Sequence, residues 1–413
     1  MSDRMAKYDA VICGAGPSGS TAAKYMAEKG LKVVLLEKKS FPRDKPCGGA
    51  LRPSIIEEFD YVRDGIKKIP HSICLRAKMY SPSLQNFIEY RPGKAVMYNI
   101  QRVHFDAMLA DLARRSGAEL RENAEVKSVS VKSNGCALQL KNGEEVEGNV
   151  ILGAGGMHDP VAKYLRKKEG LPERWPRSDI GLGIVKEYEV GEDFIENRFG
   201  DEHTAYFHLK PNNLYGYTWT FSQVSSLNIG FGTLWNDAKK VNIKNVFAKY
   251  LDFLKKEGLA PETLKLGRPK AGLVPLKGGI KKSYSDRILI LGDAAGFATP
   301  VGGDGIYFGM CSGRIAADVV EYAIEHNAFE KDTLSRYQEE WYKLWGEDLK
   351  AMCYYADKIY DKTERILRYA SKDKVLTERC VGLWEGKYKA SKMKWKIVAR
   401  LARDFFVYDV LRL

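Results

Sequence analysis

The first forty residues change hydrophobic period twice. Residues 8–13 form a short continuous apolar run, residues 17–30 place apolar side chains at helical spacing with a glycine past the end, and residues 32–36 are again an apolar run. Two buried strands flanking a helix predict a βαβ unit. Residues 99–106 are read as opening a helix that continues through Ala113. Residues 126–131 and 137–140 alternate as strands around the turn Ser133-Asn134-Gly135, and residues 149–152 form another apolar run that leads into Ala154-Gly155-Gly156. The stretch between about 51 and 97 has no clear period.

From about Ile180 the period becomes two. Residues 204–209, 214–221 and 227–234, separated by turn residues, predict an antiparallel meander followed by a helix carrying Val246, Phe247, Tyr250, Leu251 and Leu254. Tyr215, Tyr217, Trp219 and Phe221 recur at every second position, so one face of that sheet is a wall of aromatic rings. Such a wall either lines a pocket or packs the sheet against a helix, and the pattern alone leaves both open. Residues 287–291 return to a buried-strand run that enters Gly292-Asp293-Ala294-Ala295-Gly296. A glycine-rich segment, residues 300–306, precedes a helix through Val320, and the rest of the chain to Leu413 reads as mostly helical. The pieces that resemble the first unit are interrupted by the meander and then resumed.

Length and composition narrow the class. A chain of 413 residues buries a large core and has room for two or three domains or one composite domain. No stretch approaches the roughly 18 apolar residues of a spanning helix, and the opening MSDRMAKYDA has no apolar signal core, which sets the expectation of a cytoplasmic protein. Seven cysteines without a CxxC pair fit a reducing compartment, and no metal site is expected. A formal net charge of +13 points to an anionic partner, a nucleic acid or a lipid headgroup surface, with lysine-rich solvated helices as the plainer explanation.

Candidate chemistry begins at Gly14-Ala15-Gly16-Pro17-Ser18-Gly19, a GxGxxG between the first strand and its helix, with Glu37 18 residues after its last glycine. Gly14 and Gly16 permit a tight turn and close backbone approach to a pyrophosphate at the helix N-terminus. Gly19 permits close helix packing, and the Glu37 carboxylate can accept bonds from ribose hydroxyls. Just beyond lies KPCGGAL, residues 45–51, a thiol between a proline and two glycines. With a metal role disfavoured and no nearby cysteine for a disulfide, Cys47 is either a working thiol or a small residue in a turn.

The GAGPSG turn with Glu37, Arg102 at its helix, and LGDAAGFATPVGGDGI near residue 300 are together similar to the FAD-dependent oxidoreductases of the p-hydroxybenzoate hydroxylase superfamily. The resemblance reaches to about residue 325. It implies an α/β fold in which a Rossmann-type FAD-binding domain (1–70, 96–170 and 270–325) is interrupted by an antiparallel-sheet substrate domain (71–95 and 171–269), with a helical C-terminal region (326–413). It further implies FAD contacts from Gly14, Ala15, Gly16, Ser18, Gly19, Glu37, Cys47, Gly48, Gly49, Ala50, Arg102, Val126, Asp293, Gly302, Gly303, Gly305 and Ile306. Independently of family, a loop with three glycines leading into a helix offers N–H groups to the negative charge that develops on a reduced flavin. At Ala154-Gly155-Gly156 the hydroxylases of the superfamily carry an Asp-Gly pair, so Gly155 speaks against a monooxygenase.

Within that superfamily, KPCGGAL together with YTWTF, residues 217–221, resembles the geranylgeranyl reductase family, particularly the archaeal digeranylgeranylglycerophospholipid reductases. The family's wall motif is PxxYxWxFP, and Leu214 and Ser222 stand in the two proline places. The resemblance implies FAD-dependent saturation of isolated double bonds in prenyl lipid chains, with Tyr215, Tyr217, Trp219 and Phe221 against the substrate and Cys47, Tyr217 and Trp219 as catalytic candidates. Rival readings are a reductase of geranylgeranyl diphosphate, chlorophyll-type or quinone tails, a flavin monooxygenase, and a non-catalytic electron-transferring flavoprotein. The reduced electron donor is a ferredoxin, coenzyme F420 or NAD(P)H, and a nucleic-acid partner is not adopted. Residues 387–403 carry seven Lys and Arg and no acid, with Trp395, Val398, Leu401 and Phe405 at helical spacing. Such a helix either lies peripherally on the cytoplasmic face of a membrane or packs on the body with a solvated basic face.

Overall fold

The computed structural model describes residues 8–411. The strand Tyr8–Cys13 lies centrally in an eight-stranded sheet, parallel to Val33–Leu36 on one side and to Glu145–Gly153 on the other. Glu119–Arg121 and Ile288–Ile290 extend the parallel part outward, and the hairpin Val126–Lys132 and Gly135–Leu140 adds to it antiparallel. The Val33–Leu36 strand is buried throughout. That accounts for its continuous apolar run, because helices and loops cover both faces of a parallel sheet.

The helix Pro17–Glu28 packs between Arg102–Arg115 and Ile306–Glu325. The contact that sets its position is backbone on backbone. A Cβ at Gly19 would fall inside the radius of the Gly14 carbonyl oxygen, so the third glycine of GxGxxG holds the helix start against its own turn.

The second sheet has seven strands in the order Lys270–Pro275, Ile180–Glu189, Ser226–Leu234, Gly216–Ser222, Ala205–Leu209, Ala77–Tyr80 and Phe87–Tyr90. All neighbours are antiparallel except Ala205–Leu209 with Ala77–Tyr80. One face packs on the helix Ile243–Lys256, where the Thr220 and Tyr250 hydroxyls meet at 3.0 Å. The other face carries Tyr217, Trp219 and Phe221. A third, three-stranded sheet joins Ala50–Leu51 and His71–Cys74 to the strand Met97–Ile100. The C-terminal part is helical: Lys331–Trp341, Glu347–Asp361, Thr363–Ala370, Lys374–Trp384 and Ala390–Phe405.

Two local expectations change. Asn99 and Ile100 belong to a strand, and the helix starts at Arg102, because Ile100 pairs with the Gly49 backbone before the chain turns. The stretch without a period supplies His71–Cys74, Ala77–Tyr80 and Phe87–Tyr90, each four residues long. Strands that short show too few alternations to register as a period.

Replacing Gly19 by alanine forces the helix off its turn. The thermal midpoint is expected to fall by about 2–4 °C, given that overpacking costs up to about 3 kcal/mol in a chain of this size. A midpoint within about 1 °C of wild type in calorimetry would show that the turn relaxes freely.

Candidate active site

The helix Pro17–Glu28 has no side-chain cap at its N-terminus, so its first N–H groups face outward. A Cβ built on Gly16 meets only the Arg43 guanidinium, at 4.0 Å, which leaves space in front of those groups. The Glu37 carboxylate, 5% exposed, accepts a bond from Ala15 N at 3.3 Å. Ala124 N donates to the Glu37 carbonyl at 2.8 Å, and this brings Val126, at the start of its strand, near the same end. The Ser18 side chain lies against Gly292 and Gly309, so it joins the turn to the later glycine segments.

A chain of alternating charges starts at Glu37. Arg43 Nε lies 3.1 Å from Glu37 Oε2, and Arg43 Nη1 reaches Asp106 Oδ2 at 2.9 Å. Asp106 also takes two bonds from Arg102, from Nε and from Nη2, both at 2.7 Å. Asp106 is fully buried and Arg102 nearly so. Burial alone would raise the Asp106 carboxyl, but Arg102 first and Arg43 after it hold it below the ordinary carboxylate range. Burial likewise opposes the Arg102 charge, yet Asp106 and then Cys47 keep the guanidinium above its ordinary value. Arg102 therefore sits between a carboxylate and the Cys47 sulfur.

The thiol loop is fixed on both sides. Gly49 has φ +71°, its N–H points at Cys47 Sγ at 3.4 Å, and its carbonyl accepts from Ile100 N at 2.9 Å. A Cβ on Gly49 would strike the Ile100 carbonyl, so no other residue fits there. Toward the wall, a Cβ on Gly48 would lie 3.1 Å from Phe221 and 3.2 Å from Trp219 Nε1. Asn228 ties loop to wall: its Nδ2 donates to the Cys47 carbonyl at 3.0 Å and to Glu187 at 2.6 Å, while Trp219 Nε1 donates to its Oδ1 at 2.7 Å. The Glu187 side chain reaches solvent, yet the surrounding protein desolvates it and pushes its carboxyl up to about 7, against hydrogen bonds from Asn228 and Gln223.

The wall itself is Tyr217, Trp219 and Phe221, with ring centroids 5.8 and 6.3 Å apart along the strand. Tyr215 lies just before the strand, its ring tilted 34° against that of Tyr360 with centroids 4.0 Å apart. Trp384, from the C-terminal helix Lys374–Trp384, closes over the wall, 4.5 Å from Phe207 and 6.4 Å from Tyr217. Three tyrosines hold three successive carbonyls of the glycine-rich loop. Tyr215 donates to Pro300 at 3.4 Å, Tyr360 to Val301 at 3.0 Å and Tyr217 to Gly302. Gly303 has no atom within 4 Å of a Cβ position, and Gly305 and Ile306 begin the helix Ile306–Glu325. Asp293 lies against Gly305 and 3.7 Å from Lys45 Nζ. Arg52 Nε bridges from the end of the thiol segment to Asp304 at 2.9 Å. Ala50 lies on the strand beside the wall.

Residues 7–180 match the family model described as an FAD binding domain. The digeranylgeranylglycerophospholipid reductase of Methanocaldococcus jannaschii is 32% identical over 380 residues, covering 86% of this chain and 87% of that protein. The chain belongs to the digeranylgeranylglycerophospholipid reductase family. A reductase of the same name from Methanothrix thermoacetophila is 29% identical over 83% of this chain and 85% of its own. A solved geranylgeranyl bacteriochlorophyll reductase-like protein from Thermoplasma acidophilum shares the fold, with a TM-score of 0.78 at 23% identity over 96% of this chain and 100% of that one.

For this family member the cofactor is FAD, and the residues present fit it. An open cradle at Gly16 faces a bare helix terminus, the Glu37 carboxylate stands at one end, and Asp293 and the Gly302–Gly303–Gly305 loop stand at the other. The expected site residues gather in two groups linked by the charge chain: the nucleotide turn with Glu37, and the thiol loop with the wall and residues 300–306. Among the described residues no group of side chains has the make-up of a metal site.

Sequence reasoning passed over Arg43, Asp106, Arg52, Asn228, Trp384 and Tyr360. Of these, Asn228 had a visible signal, a polar residue inside an apolar strand run. Asp159 was missed as well, and it explains Gly155. The Asp159 carboxylate accepts from Gly155 N at 2.6 Å and Ala162 N at 2.7 Å, and a Cβ at position 155 would lie 2.7 Å from it. An aspartate at 155 would collide with a buried carboxylate already in place.

Two outcomes follow from these contacts. Tyr360→Phe leaves the Val301 carbonyl unsatisfied, so hydrogen exchange in residues 299–305 is expected to accelerate about tenfold while the Tyr8–Cys13 strand keeps its protection. Unchanged exchange in that loop would deny the tyrosine its hold. Desolvation, eased by backbone bonds from Ala162, Gly155 and Val161, pushes the Asp159 carboxyl up to about 6. The native state thus binds the proton more tightly than the unfolded chain, and this contribution is lost as pH rises from about 4 to about 6. Relative to Asp159→Asn, the wild type should lose about 2 kcal/mol of stability between pH 4 and pH 7 in denaturant unfolding. A pH-independent difference would place the carboxyl at an ordinary value.

Proposed function

We propose that this chain is an FAD-dependent reductase that saturates isolated C=C bonds in the geranylgeranyl chains of archaeal-type ether phospholipids. The observation that carries the reading is the meeting of three elements: a thiol on a glycine loop, a wall of Tyr217, Trp219 and Phe221, and a glycine-rich loop held by that wall. Relatives named for digeranylgeranylglycerophospholipid reduction support the substrate class.

FAD, when bound and reduced, supplies hydride to one carbon of the double bond. Two electrons come from an external donor of ferredoxin, F420 or nicotinamide type. The protein's task is to admit a hydrocarbon, exclude water and furnish a proton for the second carbon. An isolated alkene is not polarised, so proton addition leaves tertiary-cation character on the substrate. The faces of Tyr217 and Trp219 attract such a charge by about 0.5–2 kcal/mol each. Each CH₂ of the prenyl chain buried along the wall contributes about 0.8 kcal/mol. In this reading Tyr215, Tyr217, Trp219 and Phe221 contact substrate, while Cys47, with Arg102 as its counter-charge, delivers the proton. FAD contacts come from Gly14, Ala15, Gly16, Ser18, Gly19, Glu37, Gly48, Gly49, Ala50, Val126, Asp293, Gly302, Gly303, Gly305 and Ile306. The FAD-binding unit is discontinuous (1–70, 96–170, 270–325), the sheet domain between its parts receives the lipid, and the enzyme works peripherally at a membrane face, where its water-insoluble substrate resides.

The test is mass spectrometry of archaeal ether lipids after incubation with dithionite-reduced, FAD-loaded protein. A gain of about two daltons per saturated bond is expected, with Cys47→Ala slowing turnover at least about 100-fold while FAD content stays at wild-type level. No mass gain would overturn the reductase reading; full turnover in both Cys47→Ala and Cys47→Ser would remove the thiol from the chemistry.

A further inference from the structure

The helix Ala390–Phe405 has two apolar faces. The inner one is consumed by packing: Ala390 and Met393 are buried, and Ile397 and Leu401 pack against the core that holds Leu376 and Val381. The outer one is bare. Trp395 is 71% exposed, Val398 and Phe405 are each 47% exposed, and Phe406 is 54% exposed. The spacing of residues 395, 398, 402 and 405, with alanine at 402, sets them in one stripe on the side away from the protein. Six of the twelve exposed large apolar side chains among the described residues lie between Trp395 and Leu411. This concentration separates the stripe from the scattered surface leucines of an ordinary monomer.

Its borders are cationic. Lys392 and Lys396 are exposed along one edge beside Arg403, whose guanidinium pairs with Asp404 at 2.9 Å, and the Lys394 ammonium on the other edge lies over the Trp395 ring at 4.6 Å. The acids of the segment are turned away. Asp404 is buried, and Asp409 accepts from Arg368 at 2.7 Å and from Tyr369 at 2.5 Å. Tyr354, 59% exposed, extends the patch beside Lys394, 5.8 Å from the ammonium. A second copy of the chain is a poor occupant, because facing an identical stripe brings cationic borders together. Long basic side chains around a tryptophan and phenylalanines match the headgroup zone of an anionic bilayer, where the rings enter the acyl boundary and each nearby cation contributes about 1 kcal/mol.

We infer that the outer face of Ala390–Phe405, continued by Phe406, is the surface by which this protein docks on an anionic lipid bilayer. The inference rests on the proposed function only for the reason to dock. Among the described residues no helix is long and apolar enough to cross a membrane, so the contact is interfacial.

The test is co-sedimentation of the FAD-loaded protein with vesicles of phosphatidylcholine containing about one-third phosphatidylglycerol, set against vesicles of phosphatidylcholine alone. Wild type is expected to pellet with the anionic vesicles, and Trp395→Ser/Phe405→Ser to lower the partition coefficient at least about tenfold. Lys392→Glu/Lys396→Glu should lose binding to the anionic vesicles only. None of these side chains belongs to the candidate active site. Both variants should therefore keep wild-type turnover on detergent-dispersed prenyl lipid. Wild type that binds the anionic vesicles but shows no turnover on dispersed prenyl lipid would count against the reductase reading and leave the docking face standing. Wild type remaining in the supernatant, the apolar double variant pelleting like wild type, or a wild-type dimer that the double variant converts to monomer would each overturn the docking face.

Discussion

The arrangement on which the rest of the site depends is a row of alternating charges drawn out of water. Glu37, Arg43, Asp106 and Arg102 follow one another at 3.1, 2.9 and 2.7 Å, with Asp106 fully buried in the middle. None of these ions would be stable there alone. Removing one partner from such a set typically costs about 3–5 kcal/mol, whereas the intact set contributes little net stability. Its value is positional: the first member stands at the nucleotide turn and the last beside the Cys47 sulfur. Two ends of an extended cofactor site are thereby kept in one register.

The parallel sheet, the GxGxxG turn with Glu37, the meander and the long helix after residue 300 were legible because each depends on local period or on a motif of adjacent residues. What was not legible came from far along the chain. Arg43 and Asp106 are separated by 63 residues, Cys47 and Asn228 by 181, and Arg52 reaches Asp304 from another part of the fold. No periodicity reports such meetings. Trp384 and Tyr360 were passed over for a related reason: on helices they read as ordinary apolar positions, and only tertiary packing turns them toward the wall and the loop. Asp159 shows the converse, a single carboxylate that explains a departure first noticed four residues earlier.

The C-terminal helices serve two surfaces at once. Toward the interior they supply Tyr360 to the glycine-rich loop and Trp384 to the aromatic wall. Toward solvent they present the stripe that begins at Trp395. A region that looks like an appendage in sequence is therefore part of the wall's enclosure, and its removal would open the wall as well as strip the outer face.

The hydrogen bonds of the wall also account for nearly every hydrogen it carries. A phenol has one hydrogen, and Tyr215, Tyr217 and Tyr360 each commit theirs to a loop carbonyl. The Trp219 N–H is engaged with Asn228, and both Asn228 amide hydrogens are engaged in turn. Toward a guest the wall offers ring faces and no spare donor. On this inventory the hydrogens of Tyr217 and Trp219 are already committed, and what their rings offer a guest is π-faces that favour positive charge. Asn228 spends its amide hydrogens on the Cys47 backbone carbonyl and on Glu187, so it holds the thiol loop in place without touching the sulfur.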